Sequence, residues 1–360
     1  MEYVLMNTDH PVLLFDDEFS DIQIQDRQFL PYMLKDYIKS TSEARSMQEA
    51  LSHITTLKDF LAARTLNLSR ENAKVILNVA ALPQSLRTDE RIKITFACRG
   101  LNMEDNFWLR RSDEIVSFDD INLRKWHLSE ASYDIAILGK HISVTQQSLV
   151  PDLSAGGMFP KYWHRNGDKI ELWKADKTHG LNSDSEIEAA EILRKAGCNC
   201  IEYKRVEKDG YVFSVCDCFT SDRFSLVKAI DIMDWCQHTK QNFDKLVSQY
   251  SRDFANMVVA DCLLGNTDRH NENWGFLVDN DTNTIVSMAP VYDLNQALVI
   301  DRLGNSRELS DLIYEPCNTT FIDALHQYYP KCTLTFETNI LPEKVFARLQ
   351  EVSYTKSTQS

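Results

Sequence analysis

An aspartate and an asparagine, Asp268 and Asn273, stand five positions apart between a predicted helix and a predicted strand. An exposed carboxylate can accept or orient the proton of an attacking hydroxyl group, and an amide oxygen beside it can bind a hard cation. Four intervening residues in an extended loop let both groups point at one phosphate. Kinase catalytic loops have the same Asp-x4-Asn spacing. The spacing predicts phosphoryl transfer with Asp268 as the catalytic group, whereas Asp268 taken alone could be a solvated loop residue.

A second carboxylate, Asp293, follows one predicted hairpin later. The two strands of that hairpin, joined by a turn rich in Asp and Asn, would carry Asp293 back beside Asn273. Magnesium takes few protein carboxylates and keeps the phosphate oxygens of its nucleotide. Asn273 and Asp293 are therefore the predicted Mg²⁺ ligands, with ATP supplying the phosphate oxygens. Arg269 and His270 are interpreted as partners that fix the loop, and His270 is not assigned as a general base.

A phosphate-binding element is predicted upstream, at Gly156 and Gly157. Lys174 follows on a predicted strand whose own face is otherwise apolar, and a lysine in that setting favours an anion as its partner. The alternative for Lys174 is a lysine that keeps an edge strand soluble. Lys161 and Lys169 compete with it as phosphate contacts.

A helix-borne acid and a nucleotide hinge complete the predicted site. Glu186, near the start of the next predicted helix, would pair with the strand lysine as helix-borne acids do in kinases. Glu188 and Glu191 compete for this role, and a solvated helix face is the alternative. Cys218 and Phe219 end the last predicted strand of this part and would form the hinge against which adenine stacks.

Strands and helices in a definite order must position these residues. From about residue 146 the pattern predicts strand, strand, helix, strand, strand, with the Gly-Gly turn between two strand-like segments and the helix ending at Gly197. After about residue 220 the pattern is mainly helical. The first part combines strand-like runs, helical periodicity and a further strand-like run at 92–98. The predicted α+β organisation is an N-terminal α/β accessory region at 1–145, a β-rich lobe with the Gly-containing loop at 146–220 and a helical lobe at 221–360.

The composition restricts the partners of the chain. Its 360 residues carry a formal net charge of −14, and the resulting field repels nucleic acid and anionic lipid. No basic segment followed by an apolar run opens the sequence, and no apolar run approaches the ~18 residues of a membrane span. We expect a cytoplasmic protein that contacts neither nucleic acid directly nor a membrane.

Nine cysteines are scattered through the chain, an odd number that favours reduced thiols over a disulfide framework. Cys198 and Cys200, and Cys216 and Cys218, form two Cys-x-Cys pairs on either side of a predicted hairpin. Residues at i and i+2 share one face of a strand, so convergence of four sulfurs on a metal ion is one interpretation. Zinc sites usually use Cys-x2-Cys, so packing as small buried hydrophobes is favoured.

The segment 146–300 resembles the HipA-like serine/threonine kinases, a bacterial family related to HipA-type toxins. Two motifs carry the resemblance, Gly265-Asn-x-Asp268-Arg-His-x-x-Asn273 and Ala289-Pro-x-Tyr-Asp293. The Gly-Gly turn, Lys174 and the helix that starts near Glu186 give weaker support. The first 140 residues look like the accessory region of some members of that family.

The resemblance implies a protein-kinase-like bilobal fold and an ATP- and Mg²⁺-dependent kinase that acts on serine or threonine hydroxyls of a protein substrate. It implies Asp268 as catalytic base, Asn273 and Asp293 as magnesium ligands and Lys174 as the lysine on the ATP phosphates. In that family a serine of the phosphate-binding loop can be autophosphorylated, which expels the loop and silences the enzyme. Ser154 is the matching position, in a loop that is not a close copy. The full-length toxins work with a DNA-binding antitoxin, so an antitoxin-like protein partner is an open question here.

Two other interpretations stay open. No His-Arg-Asp precedes the loop and no Asp-Phe-Gly follows it, which argues against a typical eukaryotic protein kinase. The loop also looks similar to that of phosphatidylinositol kinases, so a lipid or small-molecule kinase is the second enzymatic interpretation, although the sequence shows no basic membrane-facing surface. The third is a pseudokinase that serves as a binding module. The presence of Asp268, Asn273, Asp293 and Lys174 argues against it.

Overall fold

The computed structural model describes residues 1–85, 87–126, 128, 130–176, 179–304 and 309–358. They form a mixed α/β protein. The strands are β1 (Glu2–Asn7), β2 (His10–Asp16), β3 (Ile22–Ile24), β4 (Phe107–Arg111), β5 (Lys161–Asn166), β6 (Lys169–Ala175), β7 (Tyr203–Lys208), β8 (Tyr211–Asp217), β9 (Phe224–Lys228), β10 (Gly275–Asp279), β11 (Thr284–Met288), β12 (Ile313–Tyr314) and β13 (Thr319–Thr320). The helices are α1 (Met47–Ala63), α2 (Ala73–Val79), α3 (Thr88–Ala97), α4 (Phe118–Ile121), α5 (Ala131–Ala136), α6 (Val150–Leu153), α7 (Leu181–Lys195), α8 (Ala229–Thr239), α9 (Phe243–Ser248), α10 (Ser251–Leu264), α11 (Val299–Arg302), α12 (Phe321–Tyr328) and α13 (Glu343–Thr358). Within the described residues, no helix has both the length and the apolar character to cross a membrane.

The strands form four separate antiparallel sheets. The first has the order β3-β2-β1-β4, and the second has the order β5-β6-β8-β7. A third, three-stranded sheet has the order β11-β10-β9, and β12 pairs with β13. The succession β5, β6, α7, β7, β8 confirms the predicted order of strand, strand, helix, strand, strand. It places Lys174 on β6 and Glu186 on α7.

Helix α10 leads into the segment that holds Asp268. Every residue of α10 from Phe254 to Leu264 is buried, so this helix is enclosed by the protein on all sides. The chain enters β10 at Gly275, where an added Cβ would stand 2.2 Å from the carbonyl oxygen of Val227 in β9. Only glycine allows the two strands to approach this closely. A buried helix and a close strand contact therefore fix the two ends of the loop.

Three predictions of local structure are wrong. Residues 92–98 lie in and just after α3, where helical packing overrides the strand preference of their β-branched side chains. The segment before Gly156 is α6, so the Gly-Gly turn joins a helix to β5 and does not join two strands. Residues 224–228 form β9 within the part predicted as mainly helical. A strand of five residues is too short to show its period reliably.

Buried apolar side chains form three clusters. One surrounds α7, α10 and α12, and another lies beneath β1, β2 and α1. The remaining cluster joins the first part of the chain to the second sheet, since it contains Ile76 and Trp108 together with Tyr162 and Phe213. A continuous core therefore crosses the predicted boundary near residue 145, and the domain limits stay a prediction.

Candidate active site

Three charged side chains from separate elements meet at one point. The Lys174 ammonium on β6 donates to Glu186 of α7, with 2.6 Å between Nζ and Oε1, and to Asp293 after β11, with 3.0 Å between Nζ and Oδ1. Lys174 is 8% exposed and Glu186 is fully buried. The ion pairs therefore connect the second sheet, α7 and the segment that follows the third sheet.

The Glu186 carboxylate is held on both oxygens. Its Oε2 accepts a hydrogen bond of 2.6 Å from the Ser214 hydroxyl, and its Oε1 accepts one of 3.2 Å from the backbone N–H of Leu294. Ser214 lies directly across from Lys174 in the pairing of β6 with β8. A carboxylate fixed in this way orients the ammonium group of Lys174.

Neighbouring charges keep Lys174 and Asp293 ionised at neutral pH. Burial lowers the pKa of Lys174, but the carboxylates of Asp293 and Glu186 outweigh burial and raise that pKa well above its usual range. Burial likewise would raise the pKa of Asp293, but the ammonium groups of Lys174 and Lys161 hold it at about 2. The cluster therefore presents a charged lysine and a charged aspartate.

The guanidinium group of Arg269 ties the Asp268 loop to its surroundings. It is fully buried and donates to both carboxylate oxygens of Asp261 in α10, at 2.8 Å from Nε and 3.1 Å from Nη2. Its Nη1 donates to the carbonyl oxygens of Asn273 and of Tyr292, the latter at 2.7 Å. This confirms Arg269 as an ion-pair partner that fixes the loop. The same group links Asn273 to the residue before Asp293.

Asp261 has further donors, which make it the anchor of this arrangement. Its Oδ1 accepts from the Asn266 amide at 2.9 Å, and its Oδ2 accepts from the Tyr314 hydroxyl at 2.8 Å. The side chain is fully buried. A buried carboxylate with this many donors is stabilised only while its cationic partner is present.

We expect Arg269→Met to lower the free energy of unfolding by about 3–5 kcal/mol, because the Asp261 carboxylate would be left buried without its counter-ion. Urea unfolding followed by tryptophan fluorescence measures this change. Arg252→Met is the matched control, since Arg252 is highly exposed and its ion pair is with the adjacent Asp253. The control should change stability by less than about 0.5 kcal/mol. Equal midpoints for both variants would contradict the anchoring role.

Asp268 and Asn273 are linked to each other within the loop. The Asn273 amide N–H donates to the carbonyl oxygen of Asp268 at 2.9 Å, and no other described residue donates to the Asn273 amide oxygen. The Asp268 side chain is exposed. Nevertheless, the surrounding protein raises the pKa of Asp268, and the Asp293 carboxylate raises it further. A carboxyl group with a raised pKa near a second carboxylate is a common feature of acid–base sites.

Asp293 itself has a constrained backbone. Its φ of +56° lies in the left-handed region, which a residue with a side chain adopts only when its surroundings require it. The Asp293 N–H donates to the Tyr203 hydroxyl at 3.2 Å, and its Oδ1 accepts from the Asn295 amide at 2.9 Å. These contacts hold the carboxylate towards Lys174.

A second lysine lies beside the glycine turn. Lys161 and Lys174 are cross-strand partners in β5 and β6, so both side chains leave the same face of the sheet. Gly157 has a φ of +79°, and an added Cβ there would stand 2.5 Å from Lys161 Nζ. Burial and the charge of Lys174 lower the pKa of Lys161 to about 8, although Asp293 opposes them. No described carboxylate forms an ion pair with Lys161, so its ammonium group is available to an anion.

Residues 153–319 match the family model of the HipA-like C-terminal domain. This segment is therefore similar to the HipA-like C-terminal domain, and we call it the HipA-like domain. The resemblance drawn from the sequence is thereby confirmed, and both of its motifs, at 265–273 and 289–293, lie inside the match. A search of curated proteins finds no relative of the chain.

Several solved structures resemble the chain. The first is a toxin–antitoxin complex of HipA, HipB and its operator DNA from Shewanella oneidensis MR-1, which covers 97% of each chain with 12% identity and a TM-score of 0.56. The second, the proinflammatory kinase CtkA of Helicobacter pylori, covers 54% of this chain and 90% of its own with 21% identity and a TM-score of 0.40. The likeness to the Shewanella chain is one of fold. It extends beyond the HipA-like domain into the first 145 residues.

Within the HipA-like domain, the structure separates the competing side chains. Glu188 pairs with Arg302 and Glu191 pairs with Lys195, so Glu186 is the glutamate of α7 that reaches Lys174. Lys169 pairs with the exposed Asp217 at the other end of β6. Of the three lysines considered from the sequence, Lys161 and Lys174 therefore share the site, and Lys169 does not.

The predicted hinge residues lie just after β8. Cys218 donates its backbone N–H to the carbonyl oxygen of Ile170 at 2.8 Å. The Phe219 ring stacks on Tyr292, with 5.5 Å between ring centroids and 28° between planes. Both residues line an open cavity of about 180 Å³ with Lys169. Because Tyr292 precedes Asp293, the stack connects the hinge to the ion-paired cluster, while contact with adenine stays a prediction.

The cysteine geometry assumed for a metal site is wrong in one respect, because Cys198 precedes β7 and packs in the core. Among the residues that the structure describes, no group of three or more His, Cys, Asp or Glu side chains is placed to bind a metal ion. Magnesium needs fewer protein ligands, and the free amide oxygen of Asn273 with the Asp293 carboxylate gives the hard oxygen donors that it prefers.

Three side chains that contact Glu186 or Asp293 directly were not found from the sequence: Ser214, Tyr203 and Asn295. Ser214 lies on the second strand of the predicted hairpin, but its place opposite Lys174 comes from the pairing of β6 with β8, which the hairpin pattern does not reveal. Tyr203 and Asn295 act through contacts with Asp293, which no local pattern reveals.

Proposed function

We propose that this chain is an ATP- and Mg²⁺-dependent serine/threonine protein kinase of the HipA type. The observation that carries the proposal is the ion-paired cluster of Lys174, Glu186 and Asp293. Arg269 couples this cluster to the Asp268 loop through the carbonyl oxygens of Asn273 and Tyr292. Separate elements thus supply a phosphate-binding lysine, two hard oxygen donors and an acid–base carboxylate.

The binding step follows from these charges. Lys174, held by Glu186, and Lys161, beside the glycine turn, attract the anionic phosphates of ATP. Asn273 and Asp293 would hold Mg²⁺, which when bound neutralises phosphate charge and polarises the phosphoryl oxygens. Cys218 and Phe219 would contact the adenine at the hinge. The backbone of Gly156 and Gly157 leaves room for phosphates to approach.

The transfer step assigns the proton to Asp268. As the serine or threonine oxygen of a protein substrate attacks the γ-phosphorus, a new P–O bond forms and the bond from the γ-phosphorus to the bridging oxygen breaks, leaving ADP. The Asp268 carboxylate orients the hydroxyl group and receives its proton. The raised pKa of Asp268 favours this transfer, since it makes the carboxylate a stronger base.

The test is incubation of the purified chain with γ-labelled ATP, with Mg²⁺ or with EDTA. A generic protein substrate and phosphatidylinositol vesicles are offered in parallel. We expect label on protein, on the chain itself or on the substrate, only when Mg²⁺ is present. Label on lipid alone would identify the lipid kinase instead. Absence of label from every acceptor would support the pseudokinase interpretation.

Autophosphorylation at Ser154 is part of the proposal. Among the described residues, the hydroxyl group of this half-buried serine makes only long contacts, of 3.4 Å each, to the carbonyl oxygens of Val150 and Pro151. It directly precedes the glycine turn, so a phosphate there would add about two negative charges beside the nucleotide loop. Intact mass and peptide mapping should show one phosphate that Ser154→Ala removes. An unchanged phosphate count in that variant would exclude Ser154.

An antitoxin-like protein partner is also proposed, on the fold likeness to the Shewanella chain in its complex with HipB and operator DNA. The net charge of −14 indicates that any contact with DNA would pass through such a partner. In mobility-shift assays, the chain alone should leave duplex DNA unshifted at physiological salt. A salt-sensitive shift by the chain alone would contradict this expectation.

A further inference from the structure

A short segment of the first 145 residues reaches the glycine turn of the HipA-like domain. The Leu66 N–H donates to the carbonyl oxygen of Leu153 at 2.6 Å. Four residues later, the Arg70 side chain passes beneath the same loop, and it is fully buried. The loop from Ser154 to Pro160 therefore rests on a segment that precedes it by more than eighty residues.

Arg70 binds both ends of this loop. Its Nη1 donates to the carbonyl oxygens of Asp152, at 3.2 Å, and of Ala155, at 3.4 Å. Its Nη2 donates to the carbonyl oxygen of Lys161. The Asp152 oxygen lies in α6 just before the loop, the Ala155 oxygen lies near the start of the loop and the Lys161 oxygen lies at the first residue of β5. The planar guanidinium group thus spans the gap that the loop bridges.

The charge of Arg70 is retained despite its burial. Burial lowers its pKa to about 10, and the Asp152 carboxylate opposes this decrease, so the side chain is cationic at neutral pH. Burial raises the pKa of Asp152 to about 6, against the attraction of Arg70. The two groups approach to 3.9 Å between Nη2 and Oδ1, which is too long for a hydrogen bond. The short-range contacts of Arg70 are thus with the loop backbone.

We propose that Arg70 is a positioning residue that holds the loop 154–160 in the shape that receives the nucleotide phosphates. That the loop receives a nucleotide rests on the proposed function, whereas the contact between Arg70 and the loop rests on the hydrogen bonds. Release of the Arg70 contacts would free three backbone carbonyls around Gly156 and Gly157 and would let the loop move away from Lys161 and Lys174. The first part of the chain would then contribute a residue that positions the phosphate-binding loop.

The test uses a variant that removes the contacts without leaving a buried charge. Arg70→Met combined with Asp152→Asn removes both members of the ion pair, a change that folded proteins often tolerate. Arg64 gives the matched control, because it is also buried in this part of the chain, pairs with Asp105 and donates to the carbonyl oxygens of Gly100 and Phe107. Arg64→Met with Asp105→Asn removes a buried ion pair of the same kind that lines a cavity with Ser154 and Gly156, but it removes no described hydrogen bond to the backbone of the loop 154–160.

Two measurements decide between a positioning and a purely structural role. In the absence of nucleotide, amide hydrogen exchange across residues 155–161 should become at least about 10-fold faster in the Arg70 pair than in the Arg64 pair. With ATP, the KM for ATP should rise about 10- to 100-fold in the Arg70 pair, with a smaller change in kcat. Loss of stability alone would reduce the active fraction and leave KM unchanged.

The outcomes separate this inference from the kinase proposal. Faster loop exchange and a raised KM in the Arg70→Met, Asp152→Asn variant alone would support the positioning role. A second supporting result would be rescue of the single variant Arg70→Ala, in which guanidinium ion, added below its denaturing concentration, partly restores the KM for ATP. Equal exchange and equal KM in the two pairs would overturn it. If the wild-type chain transfers no phosphate from ATP, the kinase proposal is wrong. The exchange comparison would still decide whether Arg70 holds the loop.

Discussion

Asp268→Asn should lower the rate of phosphoryl transfer by about 10²- to 10⁴-fold while leaving the affinity for ATP nearly unchanged. The amide retains the shape of the side chain, but it cannot receive the proton of the acceptor hydroxyl. Because the carboxylate acts mainly in the transition state, the loss should appear in kcat. Steady-state kinetics with a peptide acceptor, together with calorimetric titration of ATP, measures both quantities.

Asp281→Asn is the control for this substitution. Asp281 lies at the exposed tip of the hairpin between β10 and β11 and undergoes the same chemical change away from the site. Its kcat should remain within about twofold of wild type, as for surface substitutions in general. The pH profile adds a second check. Since the protein raises the pKa of Asp268, the acid limb of kcat/KM should fall above the ordinary value near 3.9. Activity falls as pH decreases through that limb, and the limb should vanish in Asp268→Asn. Equal turnover in the two aspartate variants would refute the role of Asp268.

Asp293→Ala should remove most of the Mg²⁺-dependent affinity for ATP, by about 10²-fold or more, since it deletes one of the two oxygen donors. The pKa of Asp293 is about 2, so its carboxylate is charged throughout the pH range of the assay and no proton has to leave before a cation binds. Calorimetric titration of ATP in Mg²⁺ measures the loss.

The same titration in EDTA is the internal control for Asp293→Ala. The substitution also frees Lys174 from one of its two carboxylates, so any effect of that release persists without the metal. We expect the affinity of the variant in EDTA to equal or exceed that of the wild type, because the freed ammonium group can contact the phosphates. An unchanged ATP affinity in Mg²⁺ would contradict the ligand role of Asp293.

Much of the fold around the site followed from local patterns. The hairpin of β10 and β11 was predicted from its turn and its alternation, and the order β5, β6, α7, β7, β8 was predicted from period and turn signals. These elements are long enough, or bounded sharply enough, for their periodicity to be visible. The predictions failed at α3, α6 and β9, where the segments are short or where packing decided between helix and strand.

The sequence by itself determined which residue types lie on or at the ends of the strands and helices around the site. Asp268, Asn273, Asp293 and Lys174 were singled out by spacing, and their family resemblance was found from two short motifs. Glu186 could not be separated from Glu188 and Glu191, because all three lie on one helix within two turns. The choice depends on how α7 is rotated against β6, which is set by burial of Ala189 and Leu193.

Only the tertiary structure decided the contacts between distant segments. Arg269 reaches Tyr292, Asp293 meets Lys174, and Arg70 reaches Lys161 across ninety-one positions. Such contacts leave no periodic trace in the sequence, because a side chain's partner depends on how whole elements pack and not on its neighbours in the chain. Local sequence patterns thus identify the residue types of the site. The distances between those residues depend on the packed core that joins the first part of the chain to the HipA-like domain.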